Sequence, residues 1–254
     1  MRFRVLGCAG SIAGGRLTTS FLVDDDILID AGTGLGTLPL EAMAKIDHVF
    51  LTHAHMDHVG LLPMLVDSTM GLRRQPIVVH AAKATLKAIA EHIFNWEINP
   101  DFREIEIEGH PALRFSPMEP GRPVRIGGRA LTAIPVKHSV PTVAYRLDDG
   151  AGSIVVAPDM TVSDDFWPAV NAITDLRYLL IETAFENAKL DLCRASGHLC
   201  PALLDRELRR LERPAAIRII HMKSASAATI RAEIAALAPG LDIGFLADGD
   251  VLEI

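Results

Sequence analysis

The stretch His53-Ala54-His55-Met56-Asp57-His58 places three imidazoles and a carboxylate within six residues. It follows directly on the apolar run His48-Val49-Phe50-Leu51-Thr52. A metal site needs ligands that are basic, few and firmly placed. In extended backbone, residues i and i+2 point the same way, so His53 and His55 can grip one ion. Asp57 and His58 come where the chain turns into a helix and can face a second ion. A solvated polar turn is the alternative, and further candidate ligands along the chain weigh against it.

Three more apolar strands end in such residues. His138 closes Pro135-Val136-Lys137-His138, Asp159 closes Val155-Val156-Ala157-Pro158-Asp159, and His221 closes Ile217-Arg218-Ile219-Ile220-His221. A sheet core fixes the ends of its strands, and ligands must be held to a fraction of an ångström. Alone, each residue reads as a hydrogen-bonded structural group; with the first cluster they read as a ligand set. His53, His55 and His138 are expected on one metal, and Asp57, His58 and His221 on a second. Asp159, with two oxygens, is expected to bridge them. The nitrogen-rich set suits zinc, and the carboxylates also allow iron or manganese. Two divalent ions about 3.5–4 Å apart can share a hydroxide and clamp a phosphoryl group.

The 254 residues suffice for one large core or two small ones, and we expect one domain over 1–254. Apolar residues make up 49% and aromatics 5%, so the core is aliphatic. The net charge of −7 argues against a surface that tracks a nucleic-acid backbone, which would be basic. Cys8, Cys193 and Cys200 form neither a disulfide framework nor a Cys-x-x-Cys pair and read as buried thiols. No charged-then-apolar leader opens the chain and no apolar run reaches membrane-spanning length. A cytoplasmic protein with no membrane partner is expected.

Strands are expected at Arg2 to Cys8, at Thr19 to Val23 and Ile27 to Asp30 around an Asp24-Asp25-Asp26 hairpin, at His48 to Thr52 and at Ile77 to His80. Gly32 to Gly36 reads as a turn into a short helix near Pro39 to Ala44. Longer helices are expected at Val59 to Met70 and Ala82 to Phe94, with 95–111 irregular. In the second half, strands are expected at Val124 to Ile126, Ala130 to Val136, Val143 to Asp148, Ser153 to Ala157, Tyr178 to Glu182 and Ile217 to His221. Two closing strands cover Asp242 to Phe245 and Val251 to Ile254. Helices are expected near Ser163 to Ala172, Pro201 to Glu212, which starts on a favourable proline, and Ala225 to Leu237. Two runs of strands, each followed by helices, imply an α/β (α+β) protein of two sheets with helices outside.

The pattern His-x-His-x-Asp-His, then His138, Asp159 and His221, resembles the metallo-β-lactamase-fold hydrolases. The resemblance runs from Arg4-Val5-Leu6-Gly7-Cys8 to the C-terminal 248–254 and implies a four-layer αββα sandwich. Val59-Gly60-Leu61-Leu62-Pro63, Ile181-Glu182-Thr183-Ala184-Phe185, Ser196-Gly197-His198-Leu199-Cys200-Pro201 and Ile219-Ile220-His221-Met222-Lys223 resemble the class II 3′,5′-cyclic-nucleotide phosphodiesterases. The resemblance implies hydrolysis of a small phosphodiester, a cyclic nucleotide such as cAMP or cGMP, by a hydroxide generated at the metal pair. Asp57 would orient that nucleophile, and His198 would protonate the departing ribose oxygen as general acid. A helix-start histidine bonded to local backbone is the alternative for His198. Homodimers are common in the family. Pro158 and Met160 stand where the family carries glycine and a hydroxyl residue around the bridging aspartate, and Cys200 stands where threonine is usual.

The tRNA 3′-processing endonucleases share a histidine placed like His198. They carry a long basic arm, for which His138 and Asp159, only 21 positions apart, leave no room. Other hydrolases of the fold, acting on thioesters or lactones, and a non-catalytic metal-binding domain are further alternatives. Asp30 is a candidate to hold a metal-bound imidazole from behind, with a turn aspartate as the alternative. Lys223 can counter phosphate charge or be a surface lysine. Asn95 and Trp96 offer a surface on which a base can stack, or a core or dimer contact. The glycine-rich Gly7 to Gly15 lacks a phosphate-loop ending and reads as a tight turn. His48, His80, His92 and His110 read as structural, and Arg206 to Arg213 as a solvated helix face.

Overall fold

The computed structural model describes residues 1–237 and 240–254. The chain divides into two compact units. The first comprises Met1–Gly7, Leu17–Met118 and Asp248–Glu253; the second comprises Cys8–Arg16, Glu119–Ala247 and Ile254.

The first unit is built on β1 (Arg2–Gly7), β2 (Ser20–Val23), β3 (Ile27–Ile29), β4 (His48–Phe50) and β5 (Ile77–Ala81). A small hairpin, β6 (Glu106–Ile107) and β7 (His110–Pro111), precedes β8 (Leu113–Pro117). The last strand of the chain, β16 (Val251–Glu253), lies beside β1, so the sheet runs β16-β1-β2-β3-β4-β5-β8. β3, β4, β5 and β8 are mutually parallel. Parallel neighbours need crossovers. These are supplied by α1 (Leu40–Met43), by α2 (Met56–Val59) with α3 (Leu62–Thr69), and by α4 (Lys83–His92). Leu28, Val49, Leu51, Val79 and Ala81, at period two, meet Leu62, Leu65, Val66, Leu86 and Ile89 of the helices.

The second unit carries β9 (Val124–Ile126), β10 (Arg129–Val136), β11 (Thr142–Asp148), β12 (Ser153–Ala157), β13 (Leu176–Glu182), β14 (Ala216–Ile220) and β15 (Ile243–Phe245), with order β15-β14-β13-β12-β11-β10-β9. β9 to β12 form an antiparallel meander and β12 to β15 are parallel. β10, β12, β13 and β14 therefore all run the same way, and their carboxyl ends gather at one rim. The helices are α5 (Phe166–Asn171), α6 (Leu190–Ser196), α7 (Pro201–Leu208) and α8 (Ala227–Ala235). Trp167, Leu204, Leu208 and Ile230 pack with Val155, Leu179, Ile181, Ile217 and Ile219. Among the described residues no helix is long and apolar enough to cross a membrane.

The α/β class holds, and four local expectations change. The helix expected from Val59 to Met70 is two pieces: Leu61 N–H bonds Ala31 O at 2.8 Å instead of continuing a helix, and Pro63 restarts one. The stretch 95–111 contains the β6–β7 hairpin. β8 was not expected, because a single alternation (Leu113 buried, Arg114 exposed) is a weak strand signal among charged residues. Neither was α6, whose one buried side chain is Cys193, so no apolar stripe marks it. Other helix ends shift by a few residues, the largest being Pro201 to Glu212, which stops at Leu208.

His48 and His80 share a hydrogen bond between Nδ1 and Nε2 at 3.0 Å on neighbouring strands, and His80 stacks on Phe50 at 4.4 Å. Burial, then the nearby His48, push His80 down to about 4. The folded state keeps this ring neutral while the unfolded chain protonates it near its ordinary value. Stability from this group is therefore complete above about pH 6.5 and is lost as pH falls toward 4. Urea unfolding is expected to lose about 2 kcal/mol from this source between pH 7 and pH 5. The loss should be absent from His80→Leu; an equal pH dependence in that variant would refute the assignment.

Candidate metal centre

In the first unit, β3 ends at Asp30, which sits at φ +56°, a left-handed conformation that aspartate tolerates. Its fully buried carboxylate accepts Thr52 N–H on Oδ1 at 2.8 Å, and on Oδ2 both Thr52 Oγ1 at 2.8 Å and His58 Nδ1 at 2.7 Å. Burial raises the Asp30 carboxyl, with His58 and then Thr52 pulling against the rise. Protonated on Nδ1 for that bond, His58 presents Nε2 as a ligand atom. Thr52 Oγ1 has given its one hydrogen to Asp30, so at 3.1 Å it accepts from His53 Nδ1–H. That fixes His53 with its lone pair on Nε2. His53 Nε2 and His55 Nδ1 approach to 3.0 Å, two imidazole nitrogens converging as a shared cation requires. Helix α2 carries Asp57 in its first turn, with Oδ2 3.8 Å from His58 Nε2. Gly32 backs this turn: a Cβ there would lie 2.3 Å from the Asp57 carbonyl oxygen.

In the second unit the common rim of β10, β12, β13 and β14 delivers His138, Asp159, Glu182 and His221. His138 donates Nδ1–H to Gly197 O at 2.8 Å, which directs Nε2 toward Asp159 Oδ2 at 3.5 Å. His221 Nδ1 lies 3.1 Å from Asp159 Oδ1, and all three side chains are buried. His221 sits at φ +60° and is pinned by its N–H on Cys8 O at 2.7 Å. Gly10 must be glycine here, because a Cβ would lie 2.9 Å from His221 Nε2 and 2.5 Å from its carbonyl oxygen. Of the two departures beside Asp159, Met160 has a place in the packing. The Met160 side chain is fully buried in the core, and its backbone N–H donates to Glu182 Oε1 at 2.8 Å.

His198 lies at the same rim. Asp159, His198 and His221 each offer a ligand-type atom within 4.8 Å of the others. His198 stacks on His221 at 5.4 Å and donates Nδ1–H to Glu182 Oε1 at 2.8 Å. Glu182 Oε2 accepts Leu199 N–H at 3.1 Å. Burial pulls His198 down, but the charge and hydrogen bond of Glu182 outweigh it and hold the imidazole above its ordinary value. Burial raises Glu182, and His198 opposes the rise. Glu182 has no role among the sequence expectations, although it stands in the Ile181-Glu182-Thr183-Ala184-Phe185 motif. The available signal was an acidic residue closing the apolar strand Tyr178-Leu179-Leu180-Ile181.

The remaining candidates are placed as follows. Lys223 Nζ donates to Gly10 O, tying down the Cys8–Arg16 loop, whose tight turn runs through Gly14 and Gly15 at positive φ. Asn95 Oδ1 accepts the N–H groups of Glu97 and Ile98 and its Nδ2 donates to Glu91 O of α4 at 3.3 Å, while Trp96 Nε1 donates to Glu104 at 3.2 Å, so their bonds are local. Trp96 is 59% exposed. The donor set, imidazoles with their outer nitrogens fixed by carboxylate, hydroxyl or carbonyl, fits divalent metal ions.

The family model described as the beta-lactamase superfamily domain matches residues 25–236. The probable metallo-hydrolase YhfI of Bacillus subtilis is 25% identical over 182 residues, 66% of this chain and 67% of that protein. Ribonuclease Z of Methanopyrus kandleri is 30% identical over 155 residues, covering 57% of this chain and 49% of the relative. The crystal structure of YhfI superposes with a TM-score of 0.76 at 21% identity, over 99% of this chain and 98% of the other. That of unliganded yeast PDE1 gives 0.84 at 17% identity, over 100% and 99%. These likenesses show the metallo-β-lactamase fold.

Proposed function

Since the chain belongs to the beta-lactamase superfamily and is a metallo-hydrolase of it, we propose that it hydrolyses a small phosphodiester, a 3′,5′-cyclic nucleotide. His53, His55 and His138 would hold one divalent metal, and Asp57, His58 and His221 a second, with Asp159 shared. Zinc suits this nitrogen-rich set, with iron or manganese as the other candidates. Two such ions, when bound, supply a nucleophile at neutral pH and offset charge on the phosphoryl oxygens.

The observation that carries the reading is the buried Glu182–His198 pair beside Asp159 and His221. A phosphodiester has a poor alkoxide leaving group and needs a proton delivered to it. His198 has its Nδ1 committed to Glu182, so Nε2 is the atom that carries a proton toward the leaving oxygen. The raised affinity of this ring for its proton suits a general acid at neutral pH. Asp57 orients the attacking oxygen, and Asp30 and Gly197 O hold the imidazoles of His58 and His138 in place.

Similarity to proteins named ribonuclease Z favours tRNA 3′-end cleavage as a second reading. Against it stand the net charge of −7 and the segment between His138 and Asp159, which is occupied by the β11–β12 hairpin. A homodimer in the cytoplasm completes the proposal. Metal analysis of unchelated protein, sizing by sedimentation, and assays with cyclic AMP, cyclic GMP, bis-p-nitrophenyl phosphate and a precursor tRNA test all of it. Two divalent ions per chain with turnover of a cyclic nucleotide are expected. Faster cleavage of the tRNA would install the second reading, and full metal occupancy with no diester turnover would make this a metal-binding domain.

A further inference from the structure

The β10–β11 ladder closes at the pair Val136 and Thr142, and His138 stands two residues beyond it. Gly197 O aims the His138 ring, but the ring meets Asp159 only if the chain beneath it is held as well. Lys137, next to His138, has a backbone N–H and C=O that need partners past the end of the ladder. Both find them in the loop that follows Asp159. Thr161 N–H donates to Lys137 O at 2.7 Å, and Lys137 N–H donates to Ser163 Oγ at 3.1 Å. Ser163 is buried, and its own N–H donates to Glu207 Oε2 at 3.3 Å.

Glu207 is fully buried on the apolar face of α7, beside Leu203, Leu204 and Leu208. Its Oε2 also accepts Trp167 Nε1–H from α5 at 2.8 Å, and its Oε1 lies 3.5 Å from Arg210 Nη1. A carboxylate among leucines is costly unless its partners are fixed. Here they are fixed, and they tie the loop after Asp159 to the core. The chemistry proposed above uses none of these groups.

We infer that Ser163 and Glu207 are positioning residues of the metal centre. Glu207 anchors Ser163, the Ser163 hydroxyl clasps Lys137 N–H, and the strand ends that carry His138 and Asp159 are held as one piece. Across this clasp His138 Nε2 faces Asp159 Oδ2 at 3.5 Å, the approach of two atoms that share a cation. The inference rests on the reading of these two residues as metal ligands. Partners one step out from a ligand set about 10–100-fold of metal affinity. Ser163 acts on the backbone beside His138 and not on its ring, so the lower end of that range applies. Lys137 lies at the surface, where water can take over from the lost hydroxyl. Removing the hydroxyl therefore costs little stability and still frees the strand end to shift.

The test titrates the full-length, metal-stripped protein with zinc against a chromophoric chelator and melts the same metal-free samples. Ser163→Ala is expected to weaken one of two zinc ions about tenfold, with a fall in Tm of no more than about 4 °C. Glu207→Gln keeps an oxygen for both N–H donors and should stay within about threefold of wild type. Glu207→Leu strands them and should match Ser163→Ala, and the double variant Ser163→Ala/Glu207→Leu should bind no more weakly than the worse single one. Should Glu207→Leu fail to fold, Ser163→Ala alone decides. Ile230→Val, which trims the same core on α8, should lower Tm and leave zinc affinity unchanged. Wild-type affinity in Ser163→Ala, equal zinc loss in Ile230→Val, or additive losses in the double variant would overturn the inference. His138→Ala separates the two levels. If it binds zinc as wild type does, the ligand reading fails and takes the inference with it; if it weakens zinc and Ser163→Ala does not, the inference alone falls.

Discussion

Asp159→Ala is expected to lower diester turnover by roughly 10³-fold and to leave the protein short of metal. Loss of an outer partner of a metal ligand costs about 10–100-fold in metal affinity or activity, and removing a shared ligand should exceed that. The carboxylate is nearly inaccessible to solvent and faces His138 Nε2 with one oxygen and His221 Nδ1 with the other. Asp159→Asn, which keeps the shape but loses the charge, should fall between wild type and alanine. Elemental analysis after gel filtration, paired with kcat on bis-p-nitrophenyl phosphate, reads the effect. Retention of two ions per chain with a rate within threefold of wild type would remove Asp159 from the centre and break the two-metal scheme.

Glu182→Gln should reduce kcat by about 10²-fold or more, the range of a lost general acid, with metal content unchanged. Three N–H donors (His198 Nδ1, Met160 and Leu199) point at the two carboxylate oxygens. Glutamine offers one oxygen and one NH₂, so one donor must face another donor, and the charge that holds His198 above its ordinary value disappears. Glu182→Ala strands the donors altogether and is expected to cost about 3–5 kcal/mol of stability, as breaking one side of a buried pair does. His198→Ala should lose turnover and keep metal, and the double variant Glu182→Gln/His198→Ala should be no slower than His198→Ala alone. Loss of metal in His198→Ala would make that residue a ligand; additive losses in the double variant would separate the two roles.

The class of the fold and the groups that converge were legible because both are written in strand ends. An apolar run that stops at His53, His138, Asp159 or His221 marks where a rigid element hands over to a candidate ligand. The structure brings His53 together with His55, and His138 and His221 together with Asp159, each within its own unit. What stayed hidden depends on contacts far apart in the chain. That Asp30 reaches Thr52 and His58, and that Glu182 reaches Met160 and Leu199, follows from strand pairing and leaves no local periodicity to read. The tie from Lys223 Nζ to Gly10 O, across more than two hundred residues of chain, likewise has no local mark. β8 and α6 escaped because neither buries enough apolar surface to imprint a pattern.

The shared direction of β10, β12, β13 and β14 also settles where this protein can be engineered. The candidate ligands gather at the carboxyl rim, and the β11–β12 connection lies at the opposite one. The Asp149-Gly150-Ala151-Gly152 turn between β11 and β12 lies there, exposed at Gly150 and Ala151 and closed locally by the Asp149 side chain on the N–H groups of Ala151 and Gly152. A fluorophore, affinity handle or inserted reporter domain belongs in that turn, a full strand's length from Asp159, where it can report on the working protein without entering its chemistry.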